Sequence, residues 1–298
     1  MQGFSRGWEF LKQAWSMAFK DKDLLKPSVF ALIVGMIVSV IGTIPIVGAA
    51  FVVGNTQIGN FILFIMGGIL VFVQFVVTYI FSGMTVYMIF GYLTEGDGRM
   101  DKAWATVRRD FLDILTLAAA STAVNMLRSL ANRNRNRGVS GNLIRSATGL
   151  LQTLWTEAAY LILPAMVIDD LNLKDGMQRV LNITKQNLLL IGISTVGVRW
   201  VTGLIGFLFG AIGFAIGFAV GGGAAYISGG SATLSIVGIV IGALIFFTFV
   251  MVASVFSSYT STAYHTCLYI WARDVETARA KGSSVPVLAP APLAAALA

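Results

Sequence analysis

Long apolar stretches are the feature that most constrains how this chain can fold. Mean hydropathy over the 298 residues is +0.79, and apolar segments with few charges run through most of residues 28–271. Backbone groups inside a bilayer find no water, so a spanning segment must be an α-helix or part of a closed β-barrel. No apolar–polar alternation with a period of two supports a barrel. The sequence therefore predicts an all-α, polytopic membrane protein.

Six segments are long and apolar enough to be transmembrane helices. They are residues 28–53, 58–93, 111–130, 143–168, 188–226 and 233–271. About 20 helical residues cross the hydrocarbon core of a bilayer. The second, fifth and sixth segments exceed that length, so the sequence does not fix where these helices enter and leave the membrane.

Three short amphipathic segments precede the first, third and fifth spans, and each is expected to be an interfacial helix. Their core strings are GWEFLK at 7–12, AWATVR at 103–108 and GMQRVL at 176–181. Each string has a small residue, then a large apolar one, then an aliphatic residue three positions later. We interpret this as a threefold internal repeat, with units near 3–93, 99–168 and 172–271, and three unrelated amphipathic linkers are the alternative.

The domain organisation follows from the same pattern. Residues 1–272 are expected to form a single transmembrane domain. Residues 273–298, rich in Pro and small side chains near their end, are expected to form a flexible cytoplasmic tail.

The distribution of basic residues predicts the orientation. With both termini cytoplasmic, fifteen Lys and Arg lie inside and five lie outside, in agreement with the positive-inside rule. If residues 111–130 only dip into the membrane, the count becomes fourteen inside against six outside. Charge alone does not separate these two topologies. The repeat favours the first, because it places all three amphipathic segments on one face.

Several strings resemble those of a prokaryotic family of multi-pass membrane proteins of unknown function. They are GFSRGWEFLKQAW, MDKAWATVRRDFLDIL, LWTEAAYLILPAMVIDDLNLKDGMQRVLNITKQN and STAYHTCLYIWA. The chain is also distantly similar to the membrane domain found beside some glycerophosphodiester phosphodiesterases. The resemblance implies a multi-pass topology in a prokaryotic cytoplasmic membrane and no particular activity. The family commonly has Glu-Gly where this chain has Asp169-Asp170.

A stripe of glycines runs along the fifth span. Its members are spaced three or four residues apart and are Gly203, Gly206, Gly210, Gly213, Gly217 and Gly221. Small residues let helix backbones approach closely in lipid. The stripe is expected to be a helix-packing surface, either against the sixth span of the same chain or against another subunit.

Two charged residues, Glu157 and Arg199, lie far from the ends of their predicted spans. Glu157 lies 12 residues before Asp169, and Arg199 lies 12 residues after Asn187, which places both at a similar depth. An isolated charge at that depth is costly, so an intramembrane ion pair between Glu157 and Arg199 is the leading interpretation. A solute or proton pathway and an interfacial position for Arg199 are the alternatives.

Other distinctive side chains have simpler interpretations. Trp8, Trp15 and Trp104 on the amphipathic segments are expected to be interfacial anchors. The single histidine, His265, follows a hydroxyl-rich stretch and is expected to be a packing residue.

The sequence indicates a structural role more than a chemical one. No catalytic motif, metal-binding motif or cofactor-binding motif is recognised, so we expect neither catalytic, cofactor-binding nor metal-binding residues. The net charge of +7 comes from arginines flanking spans, so no nucleic-acid partner is expected. The predicted function is a non-enzymatic membrane scaffold or accessory subunit, which contacts the lipid bilayer and further copies or other membrane subunits. A small-solute channel or transporter is the alternative.

Overall fold

A computed structural model describes the backbone of residues 2–53, 56–133, 139–227, 232–282 and 287–297. Within those ranges, side chains are not described at 2–4, 133, 139–143, 184, 186–200, 225, 227, 232–234 and 295–297. The described elements are all helical, which confirms the all-α class.

The helices follow one another with short connections. In chain order they are α1 (Gln2–Lys20), a 3₁₀ turn (Lys22–Leu25), α2 (Lys26–Val53), α3 (Gln57–Glu95), α4 (Met100–Arg109), α5 (Phe111–Arg133), α6 (Val139–Asp169), α7 (Leu173–Ile227), α8 (Ala232–Ala280) and α9 (Ala291–Leu297). Six of these, α2, α3, α5, α6, α7 and α8, contain stretches long and apolar enough to cross a membrane. The expectation of a polytopic membrane protein with six spans is confirmed.

The amphipathic segments take two different forms. The first is α1, which ends one residue before the 3₁₀ turn, and the second is α4, which is separated from α5 by Asp110 alone. The third is not a separate helix, because α7 runs without interruption from Leu173 to Ile227. No Gly or Pro lies between Met177 and Ile191 to stop it.

Local signals explain where α3 begins and ends. Thr56 caps its start, with the hydroxyl accepting a hydrogen bond from the amide of Gly59 at 3.0 Å. Gly96 follows its last residue with a φ of 79°, a left-handed conformation that glycine adopts without a steric penalty.

The chain divides into two compact units, where the sequence had indicated one transmembrane domain. The first unit contains Met1–Lys20, Leu189–Tyr264 and Ala291–Ala298, and the second contains Asp21–Leu188 and His265–Pro290. The proposed threefold repeat stays a prediction.

In the first unit, α1 buries one face. Phe10, Ala14 and Ala18 are fully buried, and the Phe10 ring meets Tyr264 edge to face with centroids 5.3 Å apart. The hydroxyl of Tyr259 donates to the carbonyl of Ala14 at 3.1 Å. These contacts attach α1 to α8 within this unit.

Much of the segment 273–298, which was expected to be a flexible tail, is helical, and residues 283–286 and 298 lie outside the described residues. Helix α8 continues to Ala280, and α9 packs against α1 with Leu293 fully buried. In the second unit, the indole of Trp271 also donates to the carbonyl of Val287 at 3.3 Å. A short Ala- and Pro-rich segment is thus ordered by tertiary contacts that its composition does not reveal.

In the second unit, hydrogen bonds connect α2 with α3 along the helices, and another connects the residues before α2 with those after α3. The Gln74 amide on α3 donates to the carbonyl of Gly35 at 2.9 Å and to the Ser39 hydroxyl at 2.6 Å. At the end of this hairpin of α2 and α3, the Asp21 carboxylate accepts from the amide of Gly98 at 2.9 Å. Leu24 is fully buried there, and a Cβ at Gly98 would lie 2.6 Å from it, so only glycine fits without a shift.

Candidate intramembrane polar site

The Ser121 hydroxyl is the meeting point of three spans in the second unit. Its Oγ lies 2.7 Å from the hydroxyl of Tyr79 on α3 and accepts from the indole of Trp155 on α6 at 2.8 Å. Ser121 and Tyr79 are buried. Polar groups removed from water need hydrogen-bond partners, and here three spans supply them to one another.

A cavity of about 90 Å³ adjoins this group between α3, α5 and α6. Aromatic rings from Phe75, Tyr79, Trp155 and Tyr160 form much of its wall. Because the polar atoms of Tyr79 and Trp155 are bonded to Ser121, their rings contribute mainly carbon to the wall. The cavity is therefore chiefly apolar.

One end of this cavity lies beside a guanidinium group. Gln152 lines the cavity, and its side-chain oxygen accepts a hydrogen bond from Arg128 on α5. The sequence between Ile114 and Thr156 contains no Asp or Glu, whereas it contains five arginines. Arg128 therefore brings a positive charge to the Gln152 end of the cavity.

Glu157 on α6 and His265 on α8 form a second polar contact. Glu157 Oε2 lies 3.2 Å from His265 Nε2, and the His265 side chain is 6% exposed. The imidazole also stacks on the ring of Tyr160, with centroids 4.8 Å apart. An imidazole protonated at Nε2 donates to the carboxylate in this geometry.

The predicted partner of Glu157 lies outside the described residues, because the side chain of Arg199 is among those not described. The Glu157–Arg199 pair stays a prediction. Sequence reasoning did not connect Glu157 with His265, although both residues were singled out. No sequence signal pairs two residues 108 positions apart, and only the packing of α6 on α8 supplies the contact.

A charged cluster gathers where α6 ends. Asp169 accepts from Arg273 on α8 at 3.1 Å and also from the hydroxyl of Tyr269. The Arg273 guanidinium lies 5.6 Å from the centre of the Phe90 ring. These contacts join the ends of α3, α6 and α8, and sequence reasoning missed them.

Two further ion pairs belong to the same end. Arg179 lies 2.5 Å from Glu276, and the neighbouring Asp170 lies 3.1 Å from Arg109. Both members of the Arg109–Asp170 pair are largely exposed, so the pair contributes little free energy by itself.

The pKa values of two acidic residues at α4 are shifted in opposite directions: Asp101 lies within the helix, and Asp110 follows its last residue. Burial raises the pKa of Asp110, and the hydrogen bond from Arg109 opposes that rise only in part. The hydrogen bond from Arg99 lowers the pKa of exposed Asp101. Asp110 is 4% exposed, so its ionised form loses hydration that the Arg109 contact does not fully replace.

The glycine stripe divides into two halves. Gly213 packs against Phe249, Gly217 against the backbone of Gly242, and Gly221 against Gly238, all within the first unit. In contrast, a Cβ added at Gly203, Gly206 or Gly210 would meet no atom of the described residues within 4 Å. Among the contacts that the structure describes, the one between α7 and α8 is formed by the second half of the stripe.

The three predicted tryptophan anchors have different environments. Trp8 is 48% exposed and Trp104 is 52% exposed, which is compatible with an interfacial position. Trp15 is 6% exposed, stacks on Phe256 and donates to the Thr260 hydroxyl at 3.0 Å. The interpretation of Trp15 as a lipid anchor is therefore corrected, because its ring is enclosed by protein.

Fold and site together define a polytopic α-helical membrane protein, and in its second unit polar side chains join α2 to α3, α3 and α6 to α5, and α6 to α8 through hydrogen bonds. Within the described part of the chain, no three His, Cys, Asp or Glu side chains are grouped as a metal site requires. No protein-family model matches the chain, and a comparison with curated proteins finds no match.

Proposed function

We propose that this chain is a non-enzymatic integral membrane scaffold or accessory subunit. The observation that supports this role best is the Ser121 contact, in which one hydroxyl joins Tyr79 and Trp155 and so ties α3, α5 and α6 together. Hydrogen bonds between spans stabilise helix association in lipid, where apolar burial between helices supplies little driving force. The polar side chains of this site are used to hold helices together.

A scaffold needs partners, which for this chain are further copies or other membrane subunits in addition to the bilayer. The test is purification from native membranes in a mild detergent, followed by mass measurement of the intact particle. A defined complex, either homo-oligomeric or with a constant second subunit, is expected. A monodisperse single copy in several mild detergents and in nanodiscs would contradict the scaffold role.

We place the protein in a prokaryotic cytoplasmic membrane with both termini on the cytoplasmic side. The support is the excess of Lys and Arg in the segments before α2, between α3 and α5, and after α6. The test is labelling of Asn132→Cys by an impermeant thiol reagent in a Cys267→Ala background. Labelling is expected only from the outside, and labelling only from the cytoplasm would contradict this orientation.

A small-solute channel or transporter is the second candidate, and it is favoured by one observation. The Glu157–His265 contact places two titratable groups within spans, and ionisable residues at such positions often mark transport pathways. Proteoliposomes with an internal pH-sensitive dye test this function. Proton or solute flux that Glu157→Gln abolishes, without loss of thermal stability, would favour transport over the scaffold.

A further inference from the structure

The cavity of the second unit is better suited to hydrocarbon than to water. A buried water needs two to four polar partners, but the hydroxyl of Tyr79 and the indole nitrogen of Trp155 are already bonded to Ser121. Of the other polar groups in the wall, the hydroxyls of Thr78 and Thr156 donate to carbonyls of their own helices, and the Gln152 oxygen accepts from Arg128. The remaining wall consists largely of aromatic rings and of apolar side chains such as Val124 and Leu163. In a bilayer, the abundant apolar group of suitable shape is the acyl chain of a lipid.

Positive charge lies at one end of this apolar cavity. Arg128 donates to Gln152 on the cavity wall, and Arg145 lies seven residues before Gln152 on the same helix. Seven residues are about two helical turns, so Arg145 and Gln152 share one face of α6 about 10 Å apart. Both arginines are exposed, and neither has an acidic residue near it in sequence, since residues 114–156 contain none.

We propose that this site binds an anionic glycerophospholipid. Its phosphate contacts Arg128 and Arg145, and one acyl chain enters the cavity between α3, α5 and α6. Arginine is suited to this contact because its planar guanidinium forms paired hydrogen bonds with phosphate oxygens. A zwitterionic lipid presents the same acyl chain but carries a compensating cation, so it gains less from the two arginines.

The dimensions agree with partial entry of one chain. The cavity volume of about 90 Å³ is smaller than the roughly 150 Å³ of an engineered apolar cavity that holds one benzene molecule. It encloses a short stretch of an acyl chain and not a whole lipid. On α6 the lining residues extend from Gln152 to Leu163, or about 16 Å along the helix axis. The rest of the chain therefore lies along the protein surface in contact with other lipids.

Lipid binding at this site is independent of the scaffold role, and native mass spectrometry of the detergent-purified chain tests it. Phosphatidylglycerol and phosphatidylcholine with identical acyl chains are titrated separately. The expected preference for phosphatidylglycerol is about fivefold for each arginine near the headgroup. Arg128→Gln with Arg145→Gln should reduce phosphatidylglycerol binding to the level of phosphatidylcholine. Lys174→Gln, which removes an exposed charge elsewhere in the same unit, is the matched control and should keep the preference.

A cavity variant tests the acyl end separately. Val124→Phe adds a ring to the cavity wall and should weaken both lipids equally, while thermal stability without added lipid reports whether the variant is folded. If Val124→Phe does not fold, Val124→Met is used in its place. This smaller change should reduce the affinity for both lipids by a smaller amount. Equal binding of the two lipids by the unmodified chain would overturn the proposal, as would an unchanged preference in the double arginine variant. Displacement of the lipid by an equal concentration of inorganic phosphate would overturn it too, because it would show that the acyl chain contributes nothing.

Discussion

Glu157 on α6 and His265 on α8 lie 3.2 Å apart, between the carboxylate Oε2 and the imidazole Nε2. His265 is almost completely buried, and its ring is held against Tyr160. The pair connects two spans in the second unit through groups that are costly to leave alone in a low-dielectric medium.

Coupling between these two residues is measurable with a double-mutant cycle. Glu157→Gln and His265→Phe should each lower thermal stability in detergent, and His265→Phe keeps a ring against Tyr160. The double variant should lose less than the two single losses combined, with a coupling of about 0.5–3 kcal/mol. Purely additive losses would show that the contact contributes no pairwise stabilisation.

The predicted Glu157–Arg199 pair is tested by a parallel cycle. If Arg199 shares the carboxylate, Arg199→Met should destabilise the protein, and combining it with Glu157→Gln should recover part of that loss. Comparing the two cycles assigns the carboxylate to His265, to Arg199 or to both. A cycle with Arg199 that shows no coupling would remove the ion-pair prediction.

The glycine stripe should respond differently along its length. In Gly217→Ala, the added Cβ would overlap the carbonyl oxygen of Gly242, so a loss of about 1–3 kcal/mol is expected from overpacking. In Gly210→Ala, the Cβ meets open space, and the variant should be as stable as the parent. Thermal unfolding and particle mass in detergent are measured together. A loss of subunits in Gly210→Ala would indicate that another chain packs there.

Replacement of Asp170 by glycine should increase the stability of the protein. Asp170 follows α6 with a φ of 54°, the only non-glycine residue with positive φ in the described part of the chain. This conformation costs an ordinary residue about 1–2 kcal/mol. Asp170→Gly should exceed Asp170→Ala in stability by about 1 kcal/mol, since both lose the exposed Arg109 contact but only glycine relieves the backbone. Equal stability of the two variants would contradict backbone strain at this position.

Stability should depend on pH through Asp110. Its pKa is raised by burial, so the folded chain binds a proton more readily than the unfolded chain does. Unfolding free energy should therefore rise as pH falls through the folded pKa, by at most about 1.4 kcal/mol per pH unit for one group. Asp101, whose pKa is lowered, acts in the opposite sense and loses its contribution at acid pH. The stability of Asp110→Asn should fall more steeply on acidification than that of the parent, and identical pH profiles would contradict the assignment.

Hydropathy sufficed to predict the six spans, because about 20 apolar residues have few alternatives to crossing a bilayer. Periodicity was less informative. Trp8 and Trp15 are seven residues apart on one face of α1, yet Trp8 is half-exposed and Trp15 is buried. Spacing identifies a face, but it does not say how far along the helix that face is covered.

The remaining differences between the sequence predictions and the structure arise from contacts between segments that are far apart in the sequence. A seven-residue helix such as α9 is unstable alone, so its Ala- and Pro-rich composition indicates disorder until Leu293 is seen to pack. The Glu157–His265 contact likewise depends on the packing of α6 against α8. In contrast, the fusion of the third amphipathic segment with the following span was detectable, because the intervening sequence lacks a helix breaker.

The contact between Asp21 and Gly98 has a consequence for how often the chain crosses the bilayer. Two groups joined by a hydrogen bond at 2.9 Å lie on the same side of a membrane, so the segment between them crosses an even number of times. The segment from Arg109 to Asp170, whose side chains are 3.1 Å apart, must also cross an even number of times, and so must the segment from Asp169 to Arg273. A topology in which residues 111–130 dip without crossing makes the passage from Arg109 to Asp170 odd and separates those two side chains by a bilayer. The two ways of threading this chain therefore differ in whether this exposed pair, which contributes almost nothing to stability, can form at all.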